Sequence, residues 1–263
     1  MQASQNTSKW HDRLWAALIF FTRLPFWRIY QPPKEAYQCV VEFWPLAGWL
    51  TAGVMAGVLY GGSLVFNDEI AILLAIVSRL LLTGALHEDG LADFFDGFGG
   101  GGRDRQRILD IMKDSHIGTY GVLSLIVYFA LLFFALHSLS PVGAALTILA
   151  VDPYAKMLSA QVIQMIPYAR TQETAKTKTV YRTFSVAAGI GLAIQGLLPI
   201  GLYLWWMQGR IEWSMLILLP SLTMYFLYLF IWRMLRGYTG DCCGALFLLT
   251  ELTAYLVVSY YLV

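Results

Sequence analysis

The chain has 263 residues, of which 58% are hydrophobic and 13% charged, and its mean hydropathy is +0.59. A soluble domain carries about 25% charged residues, so the composition excludes an ordinary soluble globule and implies an all-α, polytopic membrane protein built as one integral domain over residues 1–263. The net charge of +1 offers no basic surface for nucleic acid, and Cys39, Cys242 and Cys243, with no CxxC or Cys/His spacing, give neither a disulfide framework nor a zinc site.

Residues 1–42 are mixed, with Lys9, Arg13, Arg23, Arg28 and Lys34 among apolar residues and Pro25, Pro32 and Pro33 interrupting any long helix. The short apolar run Leu14 to Phe21 is followed by Thr-Arg-Leu-Pro in place of a small-residue cleavage site, so it reads as a retained interfacial helix. A bilayer core needs about 20 helical residues. Runs of that order occur at 43–66, 70–86, 119–137, 141–166, 183–207, 213–235 and 245–263, which predicts about seven spans.

Three of these spans carry charge away from their ends. Arg79 lies inside the second, Asp152 and Lys156 inside the fourth, and Glu251 inside the last. A charge at the centre of a span costs roughly 3 kcal/mol on insertion scales, so each must face protein or water. The i, i+4 spacing of Asp152 and Lys156 predicts a local ion pair. Arg79 is read either as a snorkelling or ion-paired residue or as a ligand contact.

Most Lys and Arg fall in the N-terminal segment and in the connections after spans two, four and six, whereas the intervening turns offer only Arg210. The positive-inside rule therefore puts the N-terminus and the segments 87–118, 167–182 and 236–244 in the cytoplasm. No internal repeat is visible, against the inverted-repeat plan of many transporters.

The stretch from His87 to Gly121, HEDGLADFFDGFGGGGRDRQRILDIMKDSHIGTYG, concentrates the polar chemistry. The stretch 87–118 is read as an acidic, glycine-rich loop between spans; if the run is helical, Asp89, Asp93 and Asp96 at i, i+4 and i+7 share one face, and Asp110 and Asp114 form a second i, i+4 pair. Facing carboxylates repel unless a cation lies between them, and Mg2+ favours oxygen ligands while leaving positions for phosphate oxygens. Between the two acidic faces lie the glycines from Gly97 to Gly102 and then Arg103, Arg105 and Arg107, read as a loop whose backbone and guanidinium groups approach a phosphate. The order acid, glycine, base, acid points to metal-assisted chemistry on a diphosphate. A solvated, topology-setting connection is the bland alternative.

Several separated stretches resemble one family: HEDGLADFFDG, ILDIMKDSHIGTYGVL, RGYTGDCCGA, FFTRLP and Trp44-Pro45-Leu46-Ala47-Gly48. The chain is similar over essentially its whole length to the adenosylcobinamide-GDP ribazoletransferases, or cobalamin-5'-phosphate synthases. The resemblance implies a Mg2+-dependent enzyme of the prokaryotic inner membrane acting in the last assembly step of cobalamin biosynthesis. A ribose hydroxyl of α-ribazole, or of its 5'-phosphate, attacks the phosphate next to the corrinoid aminopropanol of adenosylcobinamide-GDP, and GMP leaves.

On that resemblance Asp89, Asp93, Asp96, Asp110 and Asp114 surround one or two Mg2+ ions, with Asp93, Asp96 and Asp114 catalytic. Arg103, Arg105 and Lys113 are candidates for phosphate oxygens, and His87, Glu88, Ser115, Thr239 and Asp241 for further substrate contacts, His87 by a hydrogen bond orienting Glu88 or Asp89. CDP-alcohol phosphatidyltransferases resemble the arrangement more weakly, through Asp93-x-x-Asp96-Gly97 and Asp110-x-x-x-Asp114; there the last carboxylate, Asp114, is the general base. His116 stands where the family usually has Arg. Glu251 is expected to pair with Arg79 or Lys156. Two alternatives are a phospholipid-forming CDP-alcohol transferase and a divalent-cation transporter, and a homo-oligomer stays open.

Overall fold

A computed structural model describes residues 8–170 and 180–262, so Lys176 and Lys178 of the expected third basic segment lie outside the described residues. The first helix, α1, runs Trp10–Phe21. The Asp12 carboxylate accepts the Lys9 N–H at 3.0 Å to close its N-terminus, and Ala16, Ala17 and Phe21 turn inward. A 3₁₀ segment at Lys34–Phe43 leads into α2, Trp44–Ser63, whose Pro45 occupies the first turn, where a missing N–H costs nothing.

After α2 come α3 (Asp68–Thr83), α4 (Leu86–Gly100), α5 (Arg105–Lys113) and α6 (Thr119–His137). They are followed by α7 (Pro141–Ala160), the single turn α8 (Val162–Met165), α9 (Val186–Met207), α10 (Trp213–Leu235) and α11 (Gly240–Leu262). Side-chain caps mark several starts: Asn67 accepts from Ile70 N–H at 3.1 Å, Asp104 from Gln106 N–H at 2.9 Å, and Ser140 from Gly143 N–H at 3.2 Å.

All seven expected spans coincide with helices, namely α2, α3, α6, α7, α9, α10 and α11. Among the described residues five segments are long and apolar enough to cross a bilayer alone, and a sixth arises if α3 and α4 count as one bent span. The helix α7 misses that standard because Asp152, Pro153 and Lys156 interrupt it, yet it lies inside the bundle with both charged residues 1% exposed. Lys156 Nζ meets Asp152 Oδ1 at 2.5 Å and Thr51 Oγ1 at 2.9 Å. The outer helices α9 and α10 present Ile190, Ile194, Leu202, Leu218 and Phe226 outward, as lipid-facing helices must.

The segment between spans two and three departs from the loop expected there. It is helical, and it leaves α3 at 89°. The bend is made by Gly84 (φ 65°) and Ala85 (φ 55°), both left-handed. Any side chain on Gly84 would also run into the Arg23 guanidinium, so glycine is required twice over. Much of the glycine run belongs to α4 and the turn that closes it, where its bareness lets neighbours approach: Gly97 sits against Met112, Gly99 against the Tyr120 ring and Gly101 against Ile108. These glycines pack helices together; only Gly102, at φ 63°, is an open turn residue.

Candidate active site

Asp89, Asp93 and Asp96 descend one side of α4, as their spacing requires. Their environments differ. Asp89 is exposed, Asp93 half-buried and Asp96 buried at 7% exposure. Asp96 Oδ2 accepts the Gly118 N–H at 2.6 Å and Oδ1 the Gly121 N–H at 2.8 Å, so this carboxylate caps the N-terminus of α6 from another helix. In α5 the exposed Asp110 accepts from Gln106 Nε2 at 2.8 Å. Asp114 ends α5 and stays exposed, with Oδ1 held by His116 Nδ1 at 2.7 Å and by the His116 N–H at 3.1 Å. The His116 ring contact holds the Asp114 carboxyl below the usual carboxylate range, so it is ionised at neutral pH.

The basic residues divide as well. Arg103, Arg107 and Lys113 are exposed, as is Ser115. Arg105, expected on a phosphate, instead donates through Nε to the Leu235 carbonyl and through its guanidinium to the Ala169 carbonyl, both at 2.7 Å. The end of α10 leaves carbonyls without helical partners, and a guanidinium fork is suited to satisfy them. Arg170 makes the reciprocal tie to the Leu109 carbonyl at 2.7 Å, and together they fasten α5 to the end of α10 and to the stretch after α8.

Glu88 is 3% exposed and faces Arg79 at 3.4 Å. Arg79 also grips both oxygens of Glu251, at 2.9 and 2.8 Å, and donates to Tyr128 Oη at 2.6 Å. The two residues expected to pair within the membrane therefore do so. Glu88 belongs to this structural network.

His87 turns the other way, into an aromatic cluster. Its ring lies stacked against Trp44 at 5.8 Å and Phe21 at 6.2 Å, and edge-on to Phe247 at 4.8 Å. The hydrogen bond expected to orient Glu88 or Asp89 is absent: Nε2 is buried with no partner. The crossing of α4 and α11 is close because Gly90 faces the Asp241 backbone and Gly244 the His87 backbone; a side chain at either would approach backbone atoms at 3.2 or 3.0 Å.

A cavity of about 150 Å³ opens where α1, α4 and the start of α11 meet. It brings together four residues singled out in the sequence, His87, Asp89, Thr239 and Asp241. The Thr239 hydroxyl donates to Asp241 Oδ2 at 3.2 Å and accepts the Cys242 N–H at 3.3 Å, so it caps α11 and steadies Asp241. Tyr168, Arg170 and Tyr181 close another side; the first two are placed by a short backbone pairing in which Ala169 N–H donates to the Tyr238 carbonyl at 2.8 Å. Burial pushes the Tyr168 phenol up to about 12 and raises Tyr181 and Tyr238 as well, so these rings stay neutral.

The match to known proteins covers the same ground. The family model described as Cobalamin-5-phosphate synthase matches residues 13–259. The chain belongs to the cobalamin-5-phosphate synthase family. An adenosylcobinamide-GDP ribazoletransferase of Leptospira interrogans is 31% identical over 252 residues, 94% of this chain and 95% of the relative. Another from Shewanella frigidimarina is 34% identical over 258 residues, 95% and 96% of the two chains, and one from Vibrio cholerae is 31% identical over 250 residues, 94% and 92%. No solved structure matches.

For this cobalamin-5-phosphate synthase family member the metal question turns on donor chemistry. Among the described residues no three His, Cys, Asp or Glu side chains converge as a metal-holding group. The donor types nonetheless fit Mg2+: Asp89, Asp110 and Asp114 are solvent-accessible carboxylates and Asp93 is half-buried on the Asp89 face of α4. Asp96 differs, since both of its oxygens serve the α6 cap.

Sequence reasoning passed over Trp44, Tyr168, Arg170 and Tyr181 as site residues. Trp44 and the Phe20-Phe21 pair were within reach, because both lie in stretches that carry the family likeness. Arg170 had no such signal, since its role depends on a contact with α5 that is 61 residues distant in the chain.

Proposed function

We propose that the protein is an adenosylcobinamide-GDP ribazoletransferase that joins adenosylcobinamide-GDP to α-ribazole or its 5'-phosphate and releases GMP, the last assembly step of cobalamin biosynthesis. The observation that carries this reading is near-complete coverage, 94–95% of this chain, by relatives bearing that name. The site supports it too, because Asp89 belongs both to the acidic face of α4 and to the cavity lining.

In the reaction the acceptor ribose hydroxyl bonds to the phosphorus that carries the corrinoid aminopropanol oxygen, and the bond from that phosphorus to the bridging oxygen of the GMP phosphate breaks. Asp89, Asp93, Asp110 and Asp114 would hold Mg2+, which, when bound, screens the diphosphate oxygens and stabilises the departing phosphate. Asp114, ionised and exposed, takes the hydroxyl proton. A positioned general base contributes about 10²–10⁴-fold to such a transfer. Arg103 and Lys113, exposed on the same segment, supply positive charge for phosphate oxygens. Asp96 holds α4 against the start of α6 and so keeps the carboxylate face in place.

We also place the protein in the prokaryotic inner membrane, with the N-terminus and the α4–α5 segment on the cytoplasmic side where nucleotide substrates are found. This rests on the distribution of Lys and Arg in the sequence. The test incubates membranes containing the protein with Mg2+ and adenosylcobinamide-GDP plus α-ribazole, and in parallel with CDP-diacylglycerol plus an alcohol. GMP release in the first arm is expected. CMP in the second, or no nucleotide in either, would remove the reading.

A further inference from the structure

A second concavity lies at the opposite end of the bundle. The 23-residue helix α11 begins at Gly240, on the lining of the cavity beside His87, and ends at Leu262, on the lining of a pocket of about 510 Å³. At the helical rise the two lie about 33 Å apart, close to the apolar thickness of a bilayer. The polar side chains of this distal pocket are Ser140, Gln208 and Arg210, and among the described residues no Asp or Glu lines it. Gln208 (φ 48°) and Gly209 (φ 84°) turn the chain back after α9, and the Arg210 N–H donates to the Met207 carbonyl at 3.0 Å. Arg210 is exposed, and among the described residues its guanidinium makes no hydrogen bond or ion pair. It is also the one Lys or Arg in the turns at this end.

Through Leu146 and Trp206, which line both, the pocket continues into an apolar groove of about 400 Å³ between α7 and α9. Trp49, Leu149, Pro199, Leu202 and Trp205 line it as well. The polar groups along this groove are already satisfied. Pro199 has no N–H to offer the Gln195 carbonyl one turn back, and the Trp49 indole N–H takes that place at 2.8 Å. Tyr203 Oη shares a hydrogen bond with Thr147 Oγ1 at 2.9 Å. Such a wall suits hydrocarbon. Trp205 and Trp206 stand exposed where the groove meets the pocket, the depth at which a headgroup belt of tryptophans is expected.

We propose that this surface binds one anionic phospholipid, with an acyl chain along Trp49, Leu202 and Trp206 and the phosphate at Arg210. A guanidinium matches phosphate oxygens in both charge and geometry, and it sits where the apolar groove opens to water. The lining carries one positive charge and no negative one, which complements a lipid of net negative charge. A zwitterionic lipid brings an ammonium that finds no carboxylate there. Glu212, two residues beyond Arg210, lies outside the lining, and its Oε1 accepts the Ser214 hydroxyl at 2.9 Å. The assignment needs only that the protein sits in a bilayer, and it is independent of the transferase reading. A lipid held this way joins the turn after α9 to the start of α7, so it should also stabilise the fold.

Delipidated protein in detergent, given phosphatidylglycerol, phosphatidylcholine or glycerol phosphate in turn, tests the site. Phosphatidylglycerol should raise the thermal unfolding midpoint more than the other two, and native mass spectrometry should find one such lipid retained per chain. Arg210→Gln removes the charge on an exposed turn and should weaken phosphatidylglycerol retention about fivefold, the weight of one basic residue at a headgroup, while leaving phosphatidylcholine unchanged. Leu202→Trp adds bulk at an exposed lining residue and should weaken both lipids. Equal retention of the two lipids by the wild type, or a phosphatidylglycerol preference that survives Arg210→Gln, would overturn the proposal. So would a midpoint shift reproduced by glycerol phosphate without chains, which would leave an anion site only, or a dimer whose formation excludes lipid, which would give the groove to a second copy of the chain.

Discussion

Arg79 of α3 and Glu251 of α11, 172 residues apart, form a buried ion pair in which one guanidinium nitrogen reaches both carboxylate oxygens, at 2.9 and 2.8 Å. Tyr255 Oη donates to the same carboxylate at 3.0 Å, and Glu88 of α4 joins from the other side of Arg79. The pair thus ties together the helix before the bend, the helix after it and the central α11. Removing one partner strands the other charge, a loss of about 3–5 kcal/mol. Arg79→Met or Glu251→Leu alone should sharply lower the thermal unfolding midpoint in detergent, and the double variant should recover much of the loss. Single variants as stable as wild type would mean that water or lipid headgroups already satisfy the charge.

Asp93 and Asp96 should separate by phenotype. Asp93→Ala is expected to abolish turnover with unfolding temperature preserved, because on the proposed reading its half-buried side chain would serve the ion. Asp96→Ala should cost about 1–2 kcal/mol of stability, the value of a helix cap, in addition to its loss of activity. Equal stability of the two variants would contradict the cap assignment. Chelation should silence the wild type and added Mg2+ restore it; activity without any divalent ion would sink the metal site altogether.

Asp114→Asn keeps the shape and one carbonyl oxygen but cannot act as the proposed proton acceptor. A fall in kcat of roughly 10²-fold or more is expected, with adenosylcobinamide-GDP binding largely retained. Single-turnover GMP release at saturating substrates reads it directly. If binding collapsed and the chemical rate survived, Asp114 would be a ligand only, and Asp89 or Asp110 would become the next candidates for the base.

Topology is open to direct labelling. Single cysteines introduced at Gly102 and Gly240 should react only with reagents that reach the cytoplasm, and those at Asp68, Leu139 and Gly209 only with reagents added outside. An exterior Gly102 would part the acidic segment from cytoplasmic nucleotides and defeat the mechanism.

An all-helical membrane protein was legible from the sequence alone, because a 20-residue apolar run in a bilayer can satisfy its backbone only as a helix. The sequence also determined the Asp152–Lys156 pair, a matter of one helical turn, and narrowed Arg79 and Glu251 toward each other, since charge inside a span must find charge. The acidic face of α4 was legible for the same local reason, its carboxylates recurring at helical spacing. That α4 turns 89° from α3 is visible only in the folded chain, since Gly84 and Ala85 carry no sequence mark that distinguishes a bend from a loop. Only the tertiary structure, too, gave Asp96 to the α6 cap, Arg105 to the carbonyls of Leu235 and Ala169, and Trp44, Arg170 and Thr239 to one cavity. Each of those outcomes depends on which distant backbone group or ring comes within a few ångströms, and no local spacing records that distance.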